Sequence, residues 1–173
     1  MKFSNLLKRN KNNQHNSSSS LNSKQYLVNI PKERIICADM QLNNKPYVGV
    51  FNEAIMELQP KHIFGWYLSI IIDYESKANN GMPYTEDSAK MQDFCDCIST
   101  KLANDPEHPN ALFLGRVTGD GYTQMLWYIN NPEIANNCLQ SLIKSNSYPF
   151  HFNFEMTQDI EWNEAHFWLD HKK

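Results

Sequence analysis

From Phe64 onward, apolar residues fall into segments whose period switches between two and three to four. Phe64, Trp66, Leu68, Ile70 and Ile72 alternate with Gly65, Tyr67, Ser69, Ile71 and Asp73. Apolar residues occur on both sides, so 64–73 predicts a central strand rather than an exposed edge. Gly81-Met82-Pro83-Tyr84 then punctuates the chain, and Thr85 is an N-cap with Glu86 and Asp87 complementing the helix dipole. Met91, Phe94, Cys95, Ile98 and Leu102 form one buried stripe of a helix over 85–103. Asp105-Pro106 and His108-Pro109 end it. Residues 111–118 and 121–129 predict a hairpin turning on Gly119-Asp120, a type II′ turn with Gly first. In that register Arg116 faces Thr123 and Val117 faces Tyr122. Leu112, Leu114, Met125, Trp127 and Ile129 share one face, and Phe113, Val117, Leu126 and Tyr128 the other. Asn131-Pro132-Glu133 opens a second helix over 132–145, with Ile134, Cys138, Leu139 and Leu142 inward. The last strand, 149–157, puts Phe150, Phe152, Phe154 and Met156 on one face and His151, Asn153, Glu155 and Thr157 on the other. Asp159 caps a short amphipathic helix carrying Trp162, Ala165, His166 and Leu169.

Upstream, Tyr26–Ile30, 34–38 and 46–51 are strand material around an Asn43-Asn44-Lys45 turn and predict an appended hairpin. Residues 52–60 suggest a turn or two of helix ended by Pro60. The resulting βαββαβ order places both long helices on one sheet face by right-handed crossover. The opposite apolar face needs another cover, and the amino-terminal hairpin and the carboxy-terminal helix are the elements available for it.

A length of 173 residues suits one domain with an extension, since two domains would each be small. No apolar run approaches the roughly 18 residues that span a bilayer. The net charge of −3 conceals an asymmetry. Five of the 16 basic residues, Lys2, Lys8, Arg9, Lys11 and Lys24, lie in the first 24 positions with no acid, which leaves 11 against all 19 acids from residue 25 onward. The head is therefore +5 and the body −8, a poor match for a polyanion. Residues 1–24 read as a disordered, basic Asn/Ser-rich tail that buries too little apolar surface to offset ordering entropy. A tether to an acidic partner and a targeting segment are the rival readings. Residues 25–173 read as a single α+β domain with its core at 64–157. A secretory signal needs an apolar core of about 7–15 residues, which the stretch from Met1 to Leu7 interrupts, so the expected location is cytoplasmic.

The chemistry-bearing residues are sparse. Cys37, Cys95, Cys97 and Cys138 lack CxxC spacing, and Cys95 and Cys97 point about 200° apart around a helix. They read as buried reduced thiols, with no disulfide expected. His62, His108, His151 and His166 never fall at metal-ligand spacing, so neither metal nor cofactor is expected. Arg116, charged on an interior strand, is either an anion anchor or a packed stem whose head pairs with an acid, Glu155 being a possible mate. His151, Glu155 and Asp159 resemble an acid/base trio, although polar alternation along a half-exposed strand explains them more simply. Gly119-Asp120-Gly121 joins two antiparallel strands instead of leading into a helix, so it is a turn and not a phosphate cradle. Tyr67, Tyr122 and Tyr128 could stack bases, but the acidic body argues against RNA. Asp159, Glu161, Glu164 and Asp170 make the final helix acidic beside Trp162, Phe167 and Trp168. This is either a solvated helix sealing the sheet or a partner-binding patch of aromatic anchors with a charged rim.

From Phe64 to Asp170 the chain resembles the domain of unknown function 695 family. The resemblance is carried by Trp66-Tyr67-Leu68, by Gly81-Met82-Pro83 before the first helix, and by the hairpin Gly115-Arg116-Val117-Thr118-Gly119-Asp120-Gly121. Trp127-Tyr128 and Asp159-Ile160-Glu161-Trp162 complete it, while residues 1–60 depart most. That family is distantly similar to the ferredoxin-like regulators, of the B type, that inhibit ribonuclease E by binding it. The resemblance implies a ferredoxin-like fold and a binding role, and brings no catalytic residues.

The expectation is an α+β ferredoxin-like domain, with a hairpin added before it and a helix after it, that binds another protein as an inhibitor or regulator. Trp162, Glu164, Phe167 and Trp168 would form the contact, with Arg116 a further binding candidate. The competing class is an enzyme or small-ligand protein using Arg116, His151 and Glu155 in one pocket.

Overall fold

A computed structural model describes residues 28–74, 77–105, 108–146 and 148–170. The basic head, and with it the expected tail, lies outside them, as do Tyr26 and Leu27. The strands are β1 (Ile35–Leu42), β2 (Lys45–Asn52), β3 (Trp66–Asp73), β4 (Ala111–Gly119), β5 (Tyr122–Ile129) and β6 (Phe152–Gln158). The α-helices are α1 (Thr85–Ala103), α2 (Pro132–Ser145) and α3 (Asn163–Asp170), and short 3₁₀ turns occupy Glu53–Glu57 and Lys61–Phe64. All six strands join one sheet in the order β1-β2-β4-β5-β3-β6, every pair antiparallel. Among the described residues no helix is long and apolar enough to cross a membrane.

Local chemistry accounts for the elements. β3 is flanked by β5 and β6, which is why both of its faces are apolar. α1 covers the expected span, although Tyr84 and not Thr85 occupies the capping position. α2 starts where Asn131 Oδ1 accepts from the Glu133 and Ile134 amides at 3.0 and 3.3 Å, with Pro132 in the first helical position. β1 and β2 turn on Asn43 and Asn44, both at positive φ, residues for which that conformation costs least after glycine. β6 begins at Phe152 rather than 149.

The β4–β5 hairpin departs from the expected register. Asp120 (φ 50°) and Gly121 (φ 92°) are its central residues, a type I′ turn, and Gly119 pairs with Tyr122. Arg116 therefore faces Met125, and Val117 faces Gln124. A bulge between Phe113 and Gly115 inserts Leu114 as an extra residue. Leu112 and Leu114 thereby join Val117, Leu126 and Tyr128, whereas Phe113 packs with Met125, Trp127 and Ile129.

Two apolar layers result. On one face, Leu68, Ile70, Ile72, Met125, Trp127 and Phe152 pack under the stripes of α1 and α2. On the other, Tyr67, Leu114, Leu126 and Tyr128 pack under Ile55, Leu58, Trp162, Trp168 and Leu169. The amino-terminal hairpin does not lie over that face as expected. It extends the sheet through β2–β4 pairing and sends Met40, Tyr47 and Phe51 into the same layer. Phe51 lies directly opposite Gly115, whose missing Cβ leaves room for the ring.

Candidate functional site

α3 is fixed to the sheet by a buried polar cluster. The Asp159 carboxylate accepts from the Asn163 and Glu164 amides, both at 2.9 Å, from Asn163 Nδ2 at 3.1 Å and from the Tyr128 hydroxyl at 2.7 Å. Trp162 at φ 60° reverses the chain between Asp159 and the helix, so a residue well ahead of the first turn can still cap it. Tyr128 Oη also accepts from the Ala165 amide at 3.1 Å. Trp162 stacks on Tyr128 at 4.0 Å and 12°, and its indole N–H donates to the Phe64 carbonyl at 3.0 Å. The Trp168 indole N–H donates to the Tyr67 hydroxyl at 3.0 Å. Burial tends to raise the Asp159 carboxyl, but the four donors outweigh it and hold the group below its ordinary value. Burial pushes the Tyr67 and Tyr128 hydroxyls well up.

The consequence for the expected patch is specific. Trp162 is 0 % and Trp168 7 % exposed, so neither is a surface anchor; both indoles satisfy their N–H groups inside the protein and seal the sheet. His166 is exposed rather than inward. What α3 and the turn before it present outward is Phe167 and Ile160, each 46 % exposed, with Glu161, Glu164 and Asp170. Phe167 meets Trp168 edge-on at 5.3 Å.

The remaining candidates do not converge. Arg116 lies on the α1 side of β4 and donates to Gln92 Oε1 at 2.6 Å. Glu155, between the inward Phe154 and Met156 on β6, points to the opposite face, and β5 and β3 intervene, roughly 14 Å of sheet. Glu155 is therefore not its mate. His151 and Asp159 sit beyond opposite ends of β6, roughly 25 Å apart along an extended strand, which separates the acid/base trio. Tyr67 and Tyr128 are covered, so they offer no platform for bases. Of the cysteines only Cys95 is buried; Cys37 is exposed, and Cys97 and Cys138 are intermediate. Among the described residues no group of three or more His, Cys, Asp or Glu could hold a metal ion. An open groove of about 720 Å³ runs between α1 and α2, lined among others by Lys101, Ile134, Cys138 and Tyr148. Ile134 and Cys138, expected inward, stand on its wall, Ile134 exposed and Cys138 half-buried, and the buried residues of α2 are Ala135, Leu139 and Leu142.

Segments singled out in the sequence meet in space. Gly81 O accepts from Gly121 N at 2.9 Å and from the Tyr74 hydroxyl at 2.9 Å, so the loop before α1 locks onto the hairpin turn. Tyr67, Tyr128, Asp159 and Trp162 together make the α3 anchor. Residues 37–168 match the family described as "Family of unknown function (DUF695)", a span that begins in β1 and so takes in the hairpin as well as the core. No curated protein and no solved structure matches the chain.

Proposed function

Because the chain belongs to this family of unknown function, its role has to be argued from its own surface, and we propose a non-catalytic protein-binding module of the inhibitor or regulator type that uses the outer side of α3. The observation that carries this reading is an exposed Phe167 flanked at i−3 and i+3 by Glu164 and Asp170, on a helix whose inner side is tied down by buried hydrogen bonds, with Ile160 and Glu161 exposed in the turn before it. A rigid apolar anchor with a charged rim loses little entropy on binding. The rim favours a partner with a basic contact surface. The strand order β4-β5-β3-β6, with α1 and α2 on one face, supports a ferredoxin-like reading of the core and, with it, a distant kinship to regulators that bind ribonuclease E. Trp162 and Trp168 belong to this site as supports for the helix, not as contacts. Arg116 has no part in it, since it lies on the α1 side of the sheet.

Affinity capture from a cell lysate tests the proposal by comparing the unaltered chain with Phe167→Ala and Glu164→Lys. A specific partner should be recovered by the unaltered chain and lost by at least tenfold with both variants, while Glu133→Lys on α2 leaves recovery unchanged. Equal recovery in all four samples removes the α3 surface from consideration.

A further inference from the structure

The groove between α1 and α2 is lined by Cys138 and Tyr148, and Tyr148 in turn contacts a second thiol, Cys97 on α1; the α3 surface uses neither thiol. On α1, Cys97, Lys101 and Asn104 recur at i, i+4 and i+7 and so share one helical side. On α2, Ile134, Cys138, Ser141 and Ser145 recur every three or four residues and line the groove. The two helices run antiparallel, because α1 follows β3, α2 follows β5, and those strands are antiparallel. One turn from Lys101 toward the start of α1, and one turn from Ile134 along α2, therefore lead the same way, to Cys97 and Cys138 on the Tyr148 side of the groove. The helices bring Cα atoms within 8 Å of one another. Cys97 Sγ lies 3.1 Å from Tyr148 Oη, and Tyr148 lines the groove together with Cys138. The Tyr148 hydroxyl is raised by its hydrogen bond to Cys97, by burial and by both thiols. The Cys138 thiol is raised by burial, pulled back by the Lys101 ammonium and raised further by Cys97. Cys95, two residues from Cys97, faces the sheet, and Cys37 sits on the edge strand β1.

We propose that Cys97 and Cys138 are a dithiol modification site, which a hydroperoxide converts to a disulfide joining α1 to α2. The Cys97 thiolate, with the Tyr148 hydroxyl donating to it, attacks a peroxide oxygen. An S–O bond forms, the O–O bond breaks, and the leaving alkoxide or hydroxide takes up the proton that Cys97 released. The Cys138 sulfur then attacks the sulfenic sulfur; an S–S bond forms, the S–O bond breaks, and water leaves with the proton of Cys138. The two sulfurs together lose two electrons and the peroxide gains them. A disulfide needs Cα atoms about 4.4–6.8 Å apart, so forming it requires α1 and α2 to come to that separation at Cys97 and Cys138.

The test exposes the full chain to hydrogen peroxide, blocks residual thiols, and maps peptides without reduction. A peptide pair joining Cys97 to Cys138 should increase with peroxide and disappear on reduction with dithiothreitol, while Cys95 remains alkylated. In Cys138→Ser the same treatment should leave a sulfenic acid at Cys97 that dimedone captures, and Tyr148→Phe should slow the oxidation of Cys97 several-fold. The proposal fails if both thiols stay alkylatable at a dose that oxidises glutathione, or if they pass to sulfinic acids without becoming joined.

Discussion

Replacing Asp159 by Ala removes the acceptor shared by two helix-start amides, the Asn163 side chain and the Tyr128 hydroxyl. Loss of a helix cap costs about 1 kcal/mol. The Tyr128 hydroxyl, on a residue with no exposed surface, loses its acceptor, and a stranded buried donor costs about 1–3 kcal/mol. The expected loss is therefore about 2–4 kcal/mol. Indole fluorescence, to which Trp162 contributes together with Trp66, Trp127 and Trp168, follows the loss of the fold during urea unfolding. Tyr128→Phe in the Asp159→Ala background should cost less than it does alone, because the donor it deletes is already unpaired; the cycle should show a coupling of about 1 kcal/mol or more. The pH dependence has a definite sign. The folded-state value of Asp159 is depressed below its ordinary value, so its contribution is complete above the ordinary carboxylate range, near pH 4, and is lost as pH falls through the folded value. Asp159→Asn should flatten that acid limb. A loss below about 0.5 kcal/mol in Asp159→Ala, or strict additivity with Tyr128→Phe, would refute the cluster as the anchor of α3.

Two neighbours on α3 should separate cleanly. Trp168→Ala removes a buried indole and its bond to Tyr67 and should cost about 3–5 kcal/mol, whereas Phe167→Ala should stay within about 0.5 kcal/mol in the same denaturation assay. Gly115→Ala drives a Cβ into the Phe51 ring and the Val50 carbonyl and should lower stability by about 1–3 kcal/mol; Phe51→Leu in the same chain should recover part of that loss if the ring is the obstacle.

The parts of this fold legible in the sequence are those decided locally. α1 and α2 begin where they do because acidic first turns and, for α2, Asn131 and Pro132 act within a few residues of the helix start. β3 announced its central place by being apolar on both faces. The hairpin was harder. Gly119-Asp120-Gly121 contains two overlapping two-residue turns, and moving from Gly119-Asp120 to Asp120-Gly121 slides the partner by two positions, which leaves Arg116 and Val117 on their expected faces. The bulge at Leu114 then exchanges the faces of the residues before it, and a bulge leaves no periodic trace because it is one unpaired residue in nine. The α3 site failed for a related reason. Reading Trp162 as part of the helix rotates every later residue about the axis; once the left-handed turn at Trp162 is known, the helix starts at Asn163 and carries Ala165, Trp168 and Leu169 inward, with Phe167 outward. Two tryptophans on one short amphipathic segment carried the usable signal, since each has an indole N–H that burial obliges to find an acceptor. The carbonyl of Phe64 and the hydroxyl of Tyr67 supply those acceptors. Both lie about a hundred residues earlier in the chain, at a distance that no periodicity could have reached, and they turn a surface-like pattern into the lid of a core.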